Sequence, residues 1–123
     1  MAVLGMDQHE NGAIAAAGVL RDAGMEVIYL GRFQLPHHIV RAAIDEDVDV
    51  IGVSVHSWEY RALIPELMKR LEEEDAGIPV AVGGSILTPA DEEELLRNGV
   101  AASFGPACDP GTIVERIRAL VAD

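Results

Sequence analysis

Aromatic side chains make up only 4% of this 123-residue sequence, and it holds a single cysteine, Cys108. With so few rings the core has to be assembled from Val, Ile, Leu, Ala and Met, within a hydrophobic share of 50%. A lone cysteine excludes an internal disulfide and agrees with a reducing compartment. No apolar run approaches the roughly 20 residues of a membrane-spanning helix, and no basic region followed by a secretory hydrophobic stretch opens the chain. The expectation is a cytoplasmic protein with no membrane partner. Basic residues are scarce too: 9 Lys and Arg face 21 Asp and Glu, for a formal net charge of -12. Such a surface repels a polyphosphate backbone, which argues against nucleic acid as a partner. The acidic clusters Glu72 to Asp75 and Asp91 to Glu94 read as solvated helix faces rather than metal sites.

What is present is a regular alternation. Val- and Ile-rich stretches trade places with segments of helical period, the pattern of a parallel sheet covered by helices on both faces. Strands are expected near Ala2 to Met6, Glu26 to Leu30, Val48 to Val55, Ile78 to Val82 and Ala101 to Phe104. Helices are expected near Ala13 to Ala23, Pro36 to Asp45, Ala62 to Glu73, Pro89 to Asn98 and Pro110 to Val121, the third starting later if Pro65 opens it. Gly24 and Gly99 fall where a left-handed residue closes a helix; Pro36, Pro89 and Pro110 fall at helix starts, with Thr88 as N-cap of the fourth. The length suits one domain, residues 1–123. The fold class expected is α/β, a flavodoxin-like doubly wound five-stranded parallel sheet of order 2-1-3-4-5. Ligands of such sheets bind beyond the carboxyl ends of the strands, where the first and third diverge.

The loops at those ends are D-Q-H-E-N-G (Asp7 to Gly12) after the first strand and S-V-H-S-W-E-Y (Ser54 to Tyr60) after the third. G-G-S-I-L-T-P (Gly83 to Pro89) follows the fourth and F-G-P-A-C-D-P (Phe104 to Pro110) the fifth. A neutral imidazole at His9 suits cobalt, zinc, copper or iron, and a carboxylate such as Asp7 can fix its tautomer through the other ring nitrogen. A site made by protein alone needs three or four ligands. The remaining histidines do not supply them: His37 and His38 are adjacent on a helix start, and His56 stands alone after the third strand. One strong histidine points to coordination completed by a cofactor. Gly12, Gly83 and Gly84 permit close approach to the backbone. The absence of G-x-G-x-x-G in the first loop, and of G-x-x-x-x-G-K-[ST] anywhere, removes the main support for dinucleotide or nucleoside triphosphate binding.

Taken in order, D-x-H-x-x-G at Asp7, His9 and Gly12, then Ser54, then Gly83-Gly84, resembles the signature of the cobalamin-binding domains of adenosylcobalamin-dependent mutases. Between Gly12 and Ser54 lie 41 residues, and between His56 and Gly83 lie 26, spacers similar to the family's. The stretches from Leu20 to Gly31, Ile39 to Ser54 and Ile78 to Gly84 are most similar to the acyl-CoA mutase branch that includes methylmalonyl-CoA mutase. The resemblance implies that His9 is the lower axial ligand of the cobalt of adenosylcobalamin, displacing dimethylbenzimidazole, whose nucleotide tail enters between the first helix and the sheet. It implies that Asp7 orients His9, that Ser54 bonds the buried base, and that Gly83 and Gly84 admit the tail and corrin edge. Gln8, Glu10, Asn11, Gly12, Val55 and His56 complete the two loops, and Phe104 and Pro106 border the tail. Small residues at Ala13, Ala15, Ala16 and Ala17 would leave the slot narrow and apolar.

Three positions depart from the family pattern. His56 replaces a leucine in the tail pocket, Val3 stands where relatives carry a lysine, and Trp58 lies in a loop usually built of small residues. The family's reaction takes place in a separate barrel that binds the acyl-CoA, and 123 residues are too few to contain one. The implied protein is a cobalamin-carrying small subunit or domain, without catalytic residues of its own, working with a large barrel subunit; a homodimer is compatible with the same reading. The competing readings are a cobalamin sensor or corrinoid methyl carrier, and a flavodoxin-like domain that has lost its cofactor. A chain that opens on its first strand, with no helical bundle ahead, favours the mutase role.

Overall fold

A computed structural model of the chain describes residues 2–4, 18–28, 30–55, 60–84, 87–105 and 110–121. The strands are β1 (Ala2–Leu4), β2 (Gly31–Gln34), β3 (Ile51–Ser54), β4 (Val80–Gly83) and β5 (Ala102–Phe104). The helices are α1 (18–22), α2 (Pro36–Asp45), α3 (Tyr60–Glu73), α4 (Pro89–Arg97) and α5 (Pro110–Val121). All pairings are parallel and the strands lie in the order β2-β1-β3-β4-β5. The α/β class with a parallel sheet, expected from the alternation, is what the chain adopts.

Two cores explain the alternation. On one face of the sheet Ile51, Val53, Val55, Val80 and Val82 pack with Ile39, Ile64, Leu67 and Leu95 of α2, α3 and α4. On the other, Ala81, Ala102 and Phe104 pack with Leu20 of α1 and Ile117 of α5. The two sets come from alternate positions of the same strands, as pleating requires of a sheet buried on both sides.

The second strand departs from expectation. The apolar pattern puts it at Glu26 to Leu30, yet residues 25–28 are irregular and the ladder runs through Gly31–Gln34. The apolar run is used for packing instead: Met25 and Val27 lean on the second core and Leu30 on the first. Apolarity reports burial, while pairing follows register, and here Ala2 faces Gly31 while Leu4 faces Gln34, an irregularity that sets two steps of β1 against three of β2.

The helix ends share one device. The N–H of the residue beyond each left-handed residue reaches back to the last turn: Met25 to Leu20, Val48 to Ala43 and Ala76 to Leu71, each 3.2 Å, and Val100 to Leu95, 3.1 Å. The left-handed residues that close these helices are Gly24 and Gly99, as expected, but also Asp47 (φ 51) and Asp75 (φ 50). Aspartate tolerates this conformation, so α2 and α3 close without glycine. The cluster Glu72 to Asp75 is therefore the end of a helix. α3 starts at Tyr60, earlier than expected, with Pro65 inside it and exposed. The ring removes the Pro65 N–H from the helical ladder.

Thr88 caps α4 in a reciprocal box: its Oγ1 accepts from the Asp91 N–H at 3.2 Å, and the Asp91 carboxylate accepts from the Thr88 N–H at 3.0 Å. Asp91 is thus buried, which corrects the reading of Asp91 to Glu94 as a wholly solvated face. Thr88→Ala is expected to cost about 1 kcal/mol, lowering the urea midpoint at unchanged slope, while Thr88→Ser stays near wild type. An unchanged midpoint in Thr88→Ala would contradict this capping role.

Candidate functional site

The register brings several of the sequence-predicted positions into one line. Val3 pairs with Ser54, Ser54 with Gly83, and Gly83 with Phe104. Residues in register across a parallel sheet share a face, so Ser54 and Gly83 lie on the side of Phe104, under α1 and α5. The rank beneath is Gly52, Ala81 and Ala102. Across β3 and β4 this face therefore carries only Gly, Ser and Ala, whereas the opposite face of the same strands carries Ile51, Val53, Val80 and Val82. A Cβ added at Gly18 of α1 would meet nothing within 4 Å.

Ser54 is buried at 7% exposure, so its hydroxyl sits inside the fold rather than on its rim. Phe104 is also buried; the Arg116 guanidinium lies 5.8 Å from its ring centroid and donates to the Ser103 carbonyl at 3.3 Å. On the other face Ser103 Oγ donates to Glu92 at 3.2 Å. The edge strand is thereby anchored from both sides.

Val55 and Gly84 have different parts from those expected. The Val55 side chain belongs to the first core, on the face opposite Ser54, so only its backbone borders the site. A Cβ at Gly84 would overlap the Val55 carbonyl oxygen and lie 2.9 Å from its carbonyl carbon. Gly84 is therefore needed by the protein's own strand crossing. At Gly83 a Cβ would find ordinary contact with Phe104 at 3.6 Å, which leaves its space available. The ends of β3, β4 and β5 are locked by the Val55 N–H on the Gly83 carbonyl (2.8 Å) and the Gly84 N–H on the Phe104 carbonyl (3.1 Å).

Asp7, Gln8, His9, Glu10, Asn11, Gly12, His56 and Pro106 lie outside the described residues, as do Ala13, Ala15, Ala16, Ala17, Trp58 and Cys108. In sequence Asp7 follows the last residue of β1, Leu4, closely, and β1 is the neighbour of β3. Among the described residues no group of three or more His, Cys, Asp or Glu is placed to hold a metal ion. Nor is any described helix long and apolar enough to cross a membrane. The sequence reading missed the ion pair Arg61–Asp91, 3.2 Å, which joins α3 to α4 beside this edge. The T-x-x-D pattern from Thr88 to Asp91 signals the cap but not the arginine.

Known proteins share both fold and sequence with this chain. In structure it is similar to the monomethylamine corrinoid protein of Methanosarcina barkeri, with TM-score 0.73 and 21% identity over 97% of this chain and 56% of that one. A response-regulator receiver domain from Mycobacterium tuberculosis gives 0.71 at 13% identity, covering 98% of this chain and 94% of that one. These likenesses show the fold alone. In sequence the chain is 38% identical over 122 residues to the 2-hydroxyisobutanoyl-CoA mutase small subunit of Aquincola tertiaricarbonis, covering 99% of this chain and 90% of that protein. It is 38% identical over 117 residues to the pivalyl-CoA mutase small subunit of Xanthobacter autotrophicus, covering 95% and 78%. To the methylmalonyl-CoA mutase of Escherichia coli it is 35% identical over 106 residues, 86% of this chain and 15% of that protein. Residues 1–115 match the B12 binding domain, and with that match over most of its length the chain belongs to the B12-binding domain family.

Proposed function

We propose that this chain binds adenosylcobalamin with its lower base displaced by His9, as the small subunit of an acyl-CoA carbon-skeleton mutase. The observation that carries the reading is the rank Ser54, Gly83, Phe104 on a face of Gly, Ser and Ala at the carboxyl edge of the sheet, beside the strand that leads to Asp7 and His9. That face fits the group. A nucleotide tail is long and narrow, and it needs room, which the small residues Gly52, Ser54, Ala81 and Gly83 leave across β3 and β4, and a buried polar atom at depth, which Ser54 provides. The family membership and the small-subunit relatives support the same reading.

On this reading the whole chain, residues 1–123, is one cobalamin-binding domain with a flavodoxin-like sheet, and the ligand sits where β1 and β3 diverge. His9 would hold cobalt through one ring nitrogen, and Asp7 would accept from the other, fixing the tautomer. Gln8, Glu10, Asn11 and Gly12 shape the approach to the corrin. Ser54 donates to or accepts from the tail base, Gly83 leaves room for it, and Phe104 with Pro106 closes the outer side. The backbone of Val55 and Gly84 forms the floor. When bound, the cofactor supplies a cobalt–carbon bond whose cleavage starts the radical chemistry.

Substrate chemistry belongs to a larger catalytic partner, and we take that partner to be a separate barrel chain that binds the acyl-CoA. A cytoplasmic location goes with this reading, and self-association into a homodimer is open to measurement by sedimentation. The test is direct: purified chain mixed with adenosylcobalamin and passed through a sizing column should carry the cofactor with it, one per chain. Cofactor that elutes entirely free would overturn the reading.

A further inference from the structure

The Arg61–Asp91 pair has a placement that ordinary surface ion pairs lack. Arg61 is the second residue of α3 and Asp91 the third of α4, and they lie 30 positions apart in the chain. Arg61 Nη2 donates to Asp91 Oδ1 at 3.2 Å, while Asp91 Oδ2 accepts from the Thr88 N–H at 3.0 Å and from Thr88 Oγ1 at 2.9 Å. Oδ2 closes the N-terminus of α4, and Oδ1 ties that N-terminus to α3.

These two helices directly follow the two strands whose ends form the candidate site. Ser54 and Gly83 face each other in register at the ends of β3 and β4, and Val55 and Gly84 are in backbone contact just beyond. The chain leaves these adjacent ends, and the clasp rejoins it at the first turns of α3 and α4. Ile64, one turn after Arg61, and Leu87, next to Thr88, are buried in the same core as Val55. The Asp91 side chain is 8% exposed but Arg61 is 58% exposed, so the arginine contributes little to the core and can be removed without a cavity.

We infer that Arg61 is a positioning residue for the cofactor edge: the ladder already holds the ends of β3 and β4 together, and by clasping the first turns of α3 and α4 Arg61 fixes how these two helices follow the ends that carry Ser54 and Gly83, in the arrangement that bound cobalamin uses. This rests on the cobalamin reading above. The clasp acts through charge between partly solvated groups, so salt weakens it, whereas packing contacts are indifferent to salt.

The experiment titrates adenosylcobalamin into the full chain at low and high NaCl for wild type, Arg61→Ala and Arg61→Lys, with thermal unfolding recorded in parallel. Arg61→Ala is expected to bind roughly three- to fivefold more weakly at low salt, with a melting temperature close to wild type. Arg61→Lys, which keeps the charge, recovers most of the affinity. Wild type loses its advantage over Arg61→Ala at high salt. Equal affinity of wild type and Arg61→Ala at low salt would overturn the clasp and leave the cobalamin reading standing. A loss that lysine does not repair and salt does not erase would also overturn it, marking Arg61 as a packing residue. A wild type that does not bind cobalamin would remove the reading and the clasp together.

Discussion

Gly84→Ala should yield a strongly destabilised chain, whereas Gly83→Ala, one residue earlier, should fold normally and bind its ligand more weakly. At position 84 the added Cβ overlaps a backbone oxygen, that of Val55, in a part of the sheet where Val55 is 2% exposed and Val82 fully buried. A flexible side chain could turn away, but a backbone carbonyl held between two strands cannot. Forced overlap of this kind costs about 3 kcal/mol or more, a large share of the roughly 5 to 15 kcal/mol that typically separates a folded domain from its unfolded state. At position 83 the Cβ meets Phe104 at 3.6 Å, an ordinary contact, and φ there is not in the left-handed region. Stability should change by no more than about 1 kcal/mol, in either direction. Yet that methyl group would stand on the small-residue face where the nucleotide tail is proposed to lie, and cobalamin affinity should fall about tenfold, equivalent to about 1.4 kcal/mol. Urea unfolding and cobalamin titration of both variants check the pair. A stable Gly84→Ala would contradict the strand-crossing role, and full affinity in Gly83→Ala would contradict a ligand on that face.

His9→Ala is expected to lower cobalamin affinity about a hundredfold or more. Removing only the outer partner of a metal-bound histidine commonly costs roughly ten- to a hundredfold, so removing the ligand itself should cost at least the upper end of that range. Asp7→Asn should fall within it, since the amide keeps the shape of the carboxylate but loses its charge. Urea unfolding of the apo variants, recorded in parallel, separates loss of the ligand from loss of fold. Equilibrium dialysis with each variant measures the affinities. If His9→Ala retained wild-type affinity, histidine ligation would have to be abandoned.

The parts of this molecule that are legible in the sequence are those where local chemistry and tertiary placement agree. α2 and α5 begin at Pro36 and Pro110 because proline at a first helical position has no N–H to waste, and Gly24 and Gly99 close helices because glycine avoids the left-handed penalty. The motif residues Ser54, Gly83 and Phe104 are legible as a group because parallel strands of matched register put equivalent positions at one edge. What is not legible depends on partners distant in sequence. The apolar run from Glu26 to Leu30 announces burial but does not say which residues hydrogen-bond to β1. Gly84 reads as room for a ligand until the Val55 carbonyl is seen to fill the place. Asp91 reads as one more acid in a polar run, and only the neighbouring helix supplies Arg61.

Every role proposed for the first loop depends on a protein imidazole, not the cofactor's own base, lying beneath the cobalt. Electron paramagnetic resonance of cob(II)alamin bound to uniformly 15N-labelled protein tests this without recourse to activity. A cobalt-bound nitrogen from the labelled protein splits each line into a doublet, whereas the unlabelled nitrogen of dimethylbenzimidazole splits it into a triplet. Doublets are expected in wild type, and their loss in His9→Ala. Triplets in wild-type protein would show the base still on the metal and would rule out His9 as its ligand.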